Sequence, residues 1–233
     1  MMSKIKKVTL PEMPPLEREI IALRIANMLE DGSYVNLGIG IPTLVSNWIE
    51  GRDIIIQSEI GMLKCGALAE EGEQDQDRIN ASCQFVNEMP GTSYFNVETS
   101  FAMIRGGRMD VAVLGALQVS ARGDLAGWHN PARGLGKTGN IGGSMDLAVG
   151  AKKLIVAMEH FTPAGEPKIL ADCTYPLTAK ACVNVIVTNY ALIEVTPKGL
   201  LLREAIPGVS VEDVQKMTAA PLIVAEDFHE MEL

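Results

Sequence analysis

The chain of 233 residues predicts an α/β fold, with an open, mostly parallel sheet, flanking helices and a late antiparallel hairpin. Three observations carry this. Short apolar runs such as Ile54-Ile55-Ile56 and Leu154-Ile155-Val156-Ala157-Met158 suit buried parallel strands. Stretches with helical spacing alternate with those runs. Late in the chain, two apolar runs flank Pro197-Lys198-Gly199, where proline fixes one backbone angle and glycine permits the opposite hand, so a hairpin is expected. A hydrophobic share of 47% against 21% charged residues is ordinary for a folded chain and too apolar for a disordered one. One domain over residues 1–233 is expected, with 1–15 as an N-terminal arm and 226–233 as a C-terminal tail.

Taken in order, Leu16, Ile20 and Leu23 recur at helical spacing among Glu17, Glu19 and Arg24, and Gly32 supplies a stop. Tyr34-Val35-Asn36-Leu37 reads as a strand running into Gly38-Ile39-Gly40-Ile41-Pro42, after which Thr43 to Glu50 turns helical. Ile54-Ile55-Ile56 leads into Gln57-Ser58-Glu59, placing a carboxylate at a strand's C-terminal end. Gly66 to Asp77, with five acidic residues and two glutamines, reads as a surface loop. Thr99 to Arg105 is a helix ended by Gly106-Gly107, and Asp110 to Leu114 a strand. Asp146 to Gly150 reads as a helical turn, and residues 154–158 as another strand. Leu192 to Thr196 and Leu200 to Leu202 form the hairpin. Ser210 is placed as the N-cap of a helix over Val211 to Met217, with Asp213 in the N3 region.

Lys and Arg number 20 against 29 Asp and Glu, a formal charge of −9, which disfavours a nucleic-acid binder. Cys65, Cys83, Cys173 and Cys182 form no Cys-x-x-Cys pair, which fits a reducing compartment and gives no zinc ribbon. His129, His160 and His229 have no metal-ligand spacing, so no metal site is expected. Prolines and Glu12 stand where a signal peptide would be apolar, and no run approaches a membrane span, so a cytoplasmic protein is expected.

Several segments are candidates for chemistry. Gly38-Ile39-Gly40 lies between a strand and a helix, yet the third glycine position of the dinucleotide fingerprint is Thr43, and no Gly-Lys-Ser/Thr follows. A tight turn that floors a pocket is the reading adopted. Glu59 either caps a strand end or pairs with an arginine, or acts as a nucleophile. A carboxylate with a reference pKa of about 4.3 is already ionised at neutral pH and needs no helper base. Gly139-Asn140-Ile141-Gly142-Gly143-Ser144 is either a flexible loop or a place where backbone N–H groups converge on an oxyanion. Arg105 and Arg108 are expected as dipole partners or solvated charges. His129, in Gly127-Trp128-His129-Asn130-Pro131-Ala132-Arg133, stands in a turn or a pocket-side loop.

Taken together, these segments resemble the B subunit of the two-subunit, 3-oxoacid type (family I) of coenzyme A transferases, over nearly the whole chain. The resemblance is carried by Val35-Asn36-Leu37-Gly38-Ile39-Gly40-Ile41-Pro42, by Ser58-Glu59 with Gly61, and by Ser100-Phe101-Ala102-Met103-Ile104-Arg105-Gly106-Gly107. It continues through Leu114-Gly115-Ala116-Leu117-Gln118-Val119-Ser120, Gly142-Gly143-Ser144-Met145-Asp146-Leu147 and Pro176-Leu177-Thr178. The resemblance implies a coenzyme A transferase fold and a ping-pong transfer of CoA between an acyl-CoA and a short-chain carboxylic acid, a 3-oxo acid in the first instance. It places the catalytic glutamate on Glu59 and an oxyanion donor on the backbone of Gly143, with Gly142 shaping the turn. Gly38, Gly40, Ser58, Ile60, Gly61 and His129 are expected around the substrate pocket. It implies CoA thioester as substrate with no permanently bound cofactor, and a companion A subunit in a heterotetramer or higher assembly.

Two departures stand out. The family's asparagine after the glutamate is Ile60, and the loop from Trp128 to Asn140, with His129, Asn130 and Arg133, is longer than the family pattern. Both bear on substrate choice more than on reaction class. An acyl-CoA hydrolase using the same glutamate, and a non-catalytic scaffold or sensing subunit, remain the rival readings.

Overall fold

The computed structural model describes residues 14–131 and 141–233. Most of the expected N-terminal arm, together with Arg133, Gly139 and Asn140, lies outside the described residues. The chain divides into two compact units, one of Arg18–Gly115 and Gly142–Ile155, the other of Ala116–Ile141 and Val156–Leu233 with the residues up to Glu17.

The first unit opens with helix α1 (Arg18–Ala26), which buries Ile21, Ala22, Ile25 and Ala26, an i, i+1, i+4, i+5 stripe. The helix stops at Ala26, well short of Gly32. The reason is Arg52, whose guanidinium donates to the carbonyls of Ala26 at 2.8 Å and Leu29 at 2.6 Å, taking up acceptors that another helical turn would have used. Strand β1 (Tyr34–Leu37) follows, then a short helix α2 (Ile41–Leu44) that runs into a 3₁₀ turn over Val45–Trp48. Strand β2 (Ile55–Ser58) pairs parallel with β1.

Two strands that the sequence reading did not identify come next. β3 (Met62–Leu68) is antiparallel to β2, and β4 (Val86–Tyr94) is antiparallel to β3. The acidic segment is therefore strand as far as Leu68, and only the residues after it turn outward. Antiparallel pairing thus appears early as well as late. Helix α3 (Val97–Arg105) is capped by Asn96, whose side chain accepts from Thr99 N at 2.9 Å. Strand β5 (Val111–Leu114), buried throughout, pairs parallel with the other edge of β1. Helix α4 (Ser144–Gly150) lies against α3. The strand order in this unit is β5-β1-β2-β3-β4. The C-terminal ends of β1, β2 and β5 share one edge, and the chain leaves β1 with neighbours on both sides, the arrangement that opens a ligand crevice in such sheets.

In the second unit, β6 (Gln118–Ser120) and β7 (Leu125–Ala126) come before the return to α4. Strand β8 (Lys153–Ala157) begins in the first unit and ends in the second. A short strand β9 (Ile169–Leu170) completes a three-stranded sheet in the order β7-β6-β9. Then β10 (Val185–Val187), β11 (Ala191–Thr196) and β12 (Gly199–Ala205) run antiparallel, with the expected hairpin closing at Pro197-Lys198 and Thr196 paired to Gly199. Helix α5 (Val211–Met217) starts in a full capping box between Ser210 and Asp213. Strand β13 (Leu222–Glu230) pairs parallel with β12, so residues 226–230, expected in a tail, are strand. Among the described residues no helix is long and apolar enough to cross a membrane.

His160 organises the interior of this second unit. It is fully buried, with Nδ1 3.0 Å from Thr188 Oγ1 and Nε2 3.1 Å from Thr218 Oγ1. Burial, helped by the positive charge of Lys168, pushes its pKa down to about 3.

Candidate active site

Glu59 is the first residue of a three-residue hairpin loop, Glu59-Ile60-Gly61, between β2 and β3, because Ser58 pairs with Met62 across the ladder. Gly61 N donates to Ser58 O at 3.0 Å and closes the turn. Gly61 has φ +132°. A Cβ there would stand 2.2 Å from the carbonyl oxygen of Phe95, so both backbone angle and space demand glycine. The Ser58-Glu59-x-Gly61 pattern thus has a local cause: the parallel strand ends, the chain reverses, and the glutamate is presented half-buried at the turn while Ile60 is exposed.

Behind this loop lies a chain of buried polar side chains. Asn36, on the central strand β1, directs Nδ2 at Gln57 Oε1 at 2.8 Å, at Gln57 O at 3.1 Å and at Glu59 Oε2 at 3.3 Å. Gln57 Nε2 in turn donates to Ser100 Oγ on α3 at 2.8 Å. Asn36, Gln57 and Ser100 are all buried. Two buried oxygens at this loop, Asn36 Oδ1 and Ser58 Oγ, have no hydrogen-bond partner among the described residues. Ser58 borders a small cavity of about 30 Å³ whose mixed lining includes Leu37, Ile56 and Val86 beside Thr43, Asn80 and Ser82.

Gly143 caps the N-terminal end of α4 and stands directly against the loop. A Cβ built on it would lie 3.6 Å from Glu59 Cγ and 2.9 Å from Phe101 Cζ, so glycine lets the backbone of α4 approach both the carboxylate side chain and the aromatic ring. Gly142 before it has φ +47°, the left-handed conformation that turns the chain into the helix. The placement of α4 is fixed from the far end as well: a Cβ on Gly150 would fall 2.5 Å from Ile104 O. Arg105 ties the two helices from outside, with Nε 2.7 Å from Asp146 Oδ1 and its guanidinium 5.5 Å from the centre of the Phe101 ring. Arg105, expected as a dipole partner or a solvated charge, is thus an exposed ion-pair partner of Asp146.

The glycine loop after β1 sits at the same sheet edge. Gly38 N donates to Val113 O at 2.8 Å, and a Cβ on Gly38 would meet Leu114 Cδ2 and Val113 O at 3.1 Å. Gly40 has φ +91°. Thr43 has a positive task at the position where a dinucleotide loop wants glycine. Its hydroxyl donates to Gly38 O at 2.8 Å and folds the loop back on itself, with Ser82 Oγ 2.9 Å away.

Glu59, Ser58, Ile60, Gly61, Gly38, Gly40, Gly142 and Gly143 therefore all belong to the first unit, and Glu59 is brought against Gly143. His129 belongs to the second unit, in the turn after β7, with its ring 5.2 Å from that of Trp128, whose Nε1 donates to Leu177 O at 3.3 Å. Sequence reasoning missed Asn36, Gln57, Ser100 and Phe101 as members of the site. A polar residue inside an apolar strand, as in Tyr34-Val35-Asn36-Leu37, was the available signal for the first.

Comparison with known proteins gives consistent matches. Residues 18–217 match the family model described as coenzyme A transferase. The chain is 46% identical over 208 residues to the B subunit of the 3-oxoadipate CoA-transferase of Pseudomonas putida, covering 89% of this chain and 97% of that one. It is 46% identical over 203 residues to the B subunit of the succinyl-CoA:3-ketoacid coenzyme A transferase of Helicobacter pylori, covering 87% and 97%. Among solved structures, it is similar to an acyl-CoA transferase from E. coli O157:H7 in a thioester complex with CoA, with a TM-score of 0.74 at 19% identity. That likeness, which concerns the fold, covers 96% of this chain and 44% of the other, so this chain spans less than half of that one.

Proposed function

The chain belongs to the coenzyme A transferase family, as a B subunit of the family I, 3-oxoacid type, and from that premise we propose that it transfers CoA between an acyl-CoA and a short-chain carboxylic acid through a glutamyl-CoA thioester on Glu59. The observation that carries the proposal is the half-buried Glu59 carboxylate on its hairpin loop, against the Gly143 backbone. The Glu59 carboxylate attacks the thioester carbonyl of the donor and expels CoA thiolate, leaving an acyl-glutamyl anhydride. The thiolate then attacks the glutamyl carbon of that anhydride, releasing the donor acid and forming the glutamyl-CoA thioester. An acceptor carboxylate runs the same two steps in reverse and leaves as its own CoA ester.

A carboxylate is a poor attacker on a thioester, so rate has to come from placement and from charge stabilisation on the carbonyl oxygen. The Gly143 N–H is the donor from this chain for that oxygen. Asn36 Nδ2 holds one carboxylate oxygen of Glu59 and leaves the other to attack. Binding energy from the pantetheine and nucleotide portions of CoA is realised at the reacting centre. A companion A subunit supplies the rest of the site, in a heterotetramer or a larger assembly. Exposed apolar side chains at this edge support a docking partner: Ile39 is 71% exposed, Ile60 49%, Met145 50% and Val149 70%. The relatives' names point to 3-oxo acids as the acid partners.

The test uses the chain co-purified with its companion. With acyl-CoA alone, mass spectrometry should find a CoA adduct on the peptide containing Glu59. Glu59→Ala should lower exchange by on the order of 10⁴-fold or more. Undiminished exchange in that variant would sink the mechanism. Measuring free CoA with and without acetoacetate or another acceptor acid separates transfer from hydrolysis.

A further inference from the structure

The buried side chains behind Glu59 form a chain with a direction. Ser100 O is an acceptor only, and it lies 3.4 Å from Gln57 Nε2, beside Ser100 Oγ at 2.8 Å, so that end of the Gln57 amide must be nitrogen. Its oxygen end then faces Asn36 at 2.8 Å. Gln57 O, another acceptor only, faces the same Asn36 nitrogen at 3.1 Å. We propose that Gln57 and Ser100 are positioning residues for the nucleophile: together they fix the Asn36 amide so that its N–H, and never its carbonyl, meets the Glu59 carboxylate. The proposal rests on Glu59 being the nucleophile.

The orphaned Asn36 Oδ1 supports this reading. A buried amide settles where the most of its groups are satisfied, and here the carbonyl is left without a partner among the described residues while the nitrogen faces three oxygens. Those acceptors decide the orientation. Turned over, Asn36 would set its own oxygen against the carboxylate and against both Gln57 oxygens, repelling Glu59 from the Gly143 side of the loop. The contact to Glu59 is the longest of the three, so it depends on the other two to stay aimed.

Ser100 also connects this chain to the next residue on α3, Phe101, whose ring touches the Gly143 position. One turn of α3 thus carries both the anchor of the carboxylate's holder and the ring packed beneath the N-terminal end of α4. Both sides of the reacting gap are referenced to the same backbone.

The experiment compares Gln57→Met and Ser100→Ala with the parent, each in its complex with the companion chain. The rate of glutamyl-CoA thioester formation is followed in a single turnover at saturating acyl-CoA. Gln57→Met keeps the length and removes the side-chain hydrogen bonds to Asn36 and Ser100, so the saturated rate should fall roughly tenfold, and Ser100→Ala should fall by about threefold. The KM for acyl-CoA should stay within about twofold in each, because neither residue is placed in the CoA path. A purely structural role would lower thermal stability or the yield of complex and leave the saturated rate of the assembled enzyme alone. An unchanged saturated rate in both assembled variants, or a loss carried by KM only, overturns the proposal. Should Gln57→Met fail to assemble, Ser100→Ala decides alone. Glu59→Ala in the same preparation tells the two readings apart: exchange surviving there means that Glu59 is not the nucleophile. Exchange lost there with a normal rate in Gln57→Met removes only the positioning role.

Discussion

A methyl group at Gly143 would stand 2.9 Å from Phe101 Cζ and 3.6 Å from Glu59 Cγ, whereas one at Gly61 would stand 2.2 Å from a backbone oxygen. The two glycines should therefore fail differently. Gly143 has φ −83°, which alanine adopts freely, and the colliding atom is the far end of a ring that can tilt. Gly143→Ala should cost about 1–3 kcal/mol of stability. On the proposed mechanism it should slow thioester formation roughly 10- to 100-fold, because it separates the proposed nucleophile, Glu59, from the proposed oxyanion donor by a fraction of an ångström. At Gly61 neither the backbone angle nor the Phe95 carbonyl can give, so Gly61→Ala should destabilise more than Gly143→Ala in urea titrations and lose the loop geometry as well. Equal stability losses would contradict this account. At this scale Glu59 was legible because a charge directly after an apolar strand is conspicuous. Asn36 and Gln57 were not, because their partners lie 21 and 43 residues away in the chain and only folding brings them together.

Among the elements, α4 is held by close approach more than by length. It has seven residues, too few to be stable alone, and its C-terminal glycine sits where a Cβ would be 2.5 Å from Ile104 O. Gly150→Ala should lift α4 from α3, cost about 2 kcal/mol or more, and carry Gly143 away from Glu59, so stability and activity should fall together. Ser210→Ala removes a capping box on α5, in the other unit. It should cost about 1 kcal/mol and leave the turnover of the assembled enzyme unchanged, a pairing that calorimetry and an exchange assay would check. Helix α5, the late hairpin and the parallel strands were legible because each has a local signature. The strands β3, β4 and β13 were not. β4 contains Pro90 and Gly91, which argue against a strand anywhere except an edge, and β4 is the end strand of its unit. β3 carries Lys64 at φ 61° and register shifts against β4 that break the alternation of its faces. β13 turns every third residue inward, Leu222, Ala225 and Phe228, instead of every second, and its pairing with β12 shifts register between Leu202 and Glu204.

For the whole molecule, 29 acidic against 20 basic residues offer an anionic thioester no general attraction. In the proposed function, CoA recognition then depends on local groups and on the companion chain. Acid meets one specific group in this chain, the buried His160. The native ring stays neutral to about pH 3, while an unfolded histidine titrates near 6.5. Between those values the unfolded chain binds the extra proton, so stability is complete above about pH 6.5 and is lost as pH falls towards 3. By pH 5 the loss from this residue should reach about 2 kcal/mol. Urea midpoints of the parent and of His160→Gln, measured at pH 7 and pH 5, separate this term from every carboxylate, because those titrate alike in both proteins. The variant should be less stable at pH 7, having lost the fit between Thr188 and Thr218, yet its curve should be flatter by the His160 share. Curves that fall in parallel would mean that the ring takes up its proton in the folded chain over the same range as in the unfolded one, and that burial between Thr188 and Thr218 does not hold it neutral.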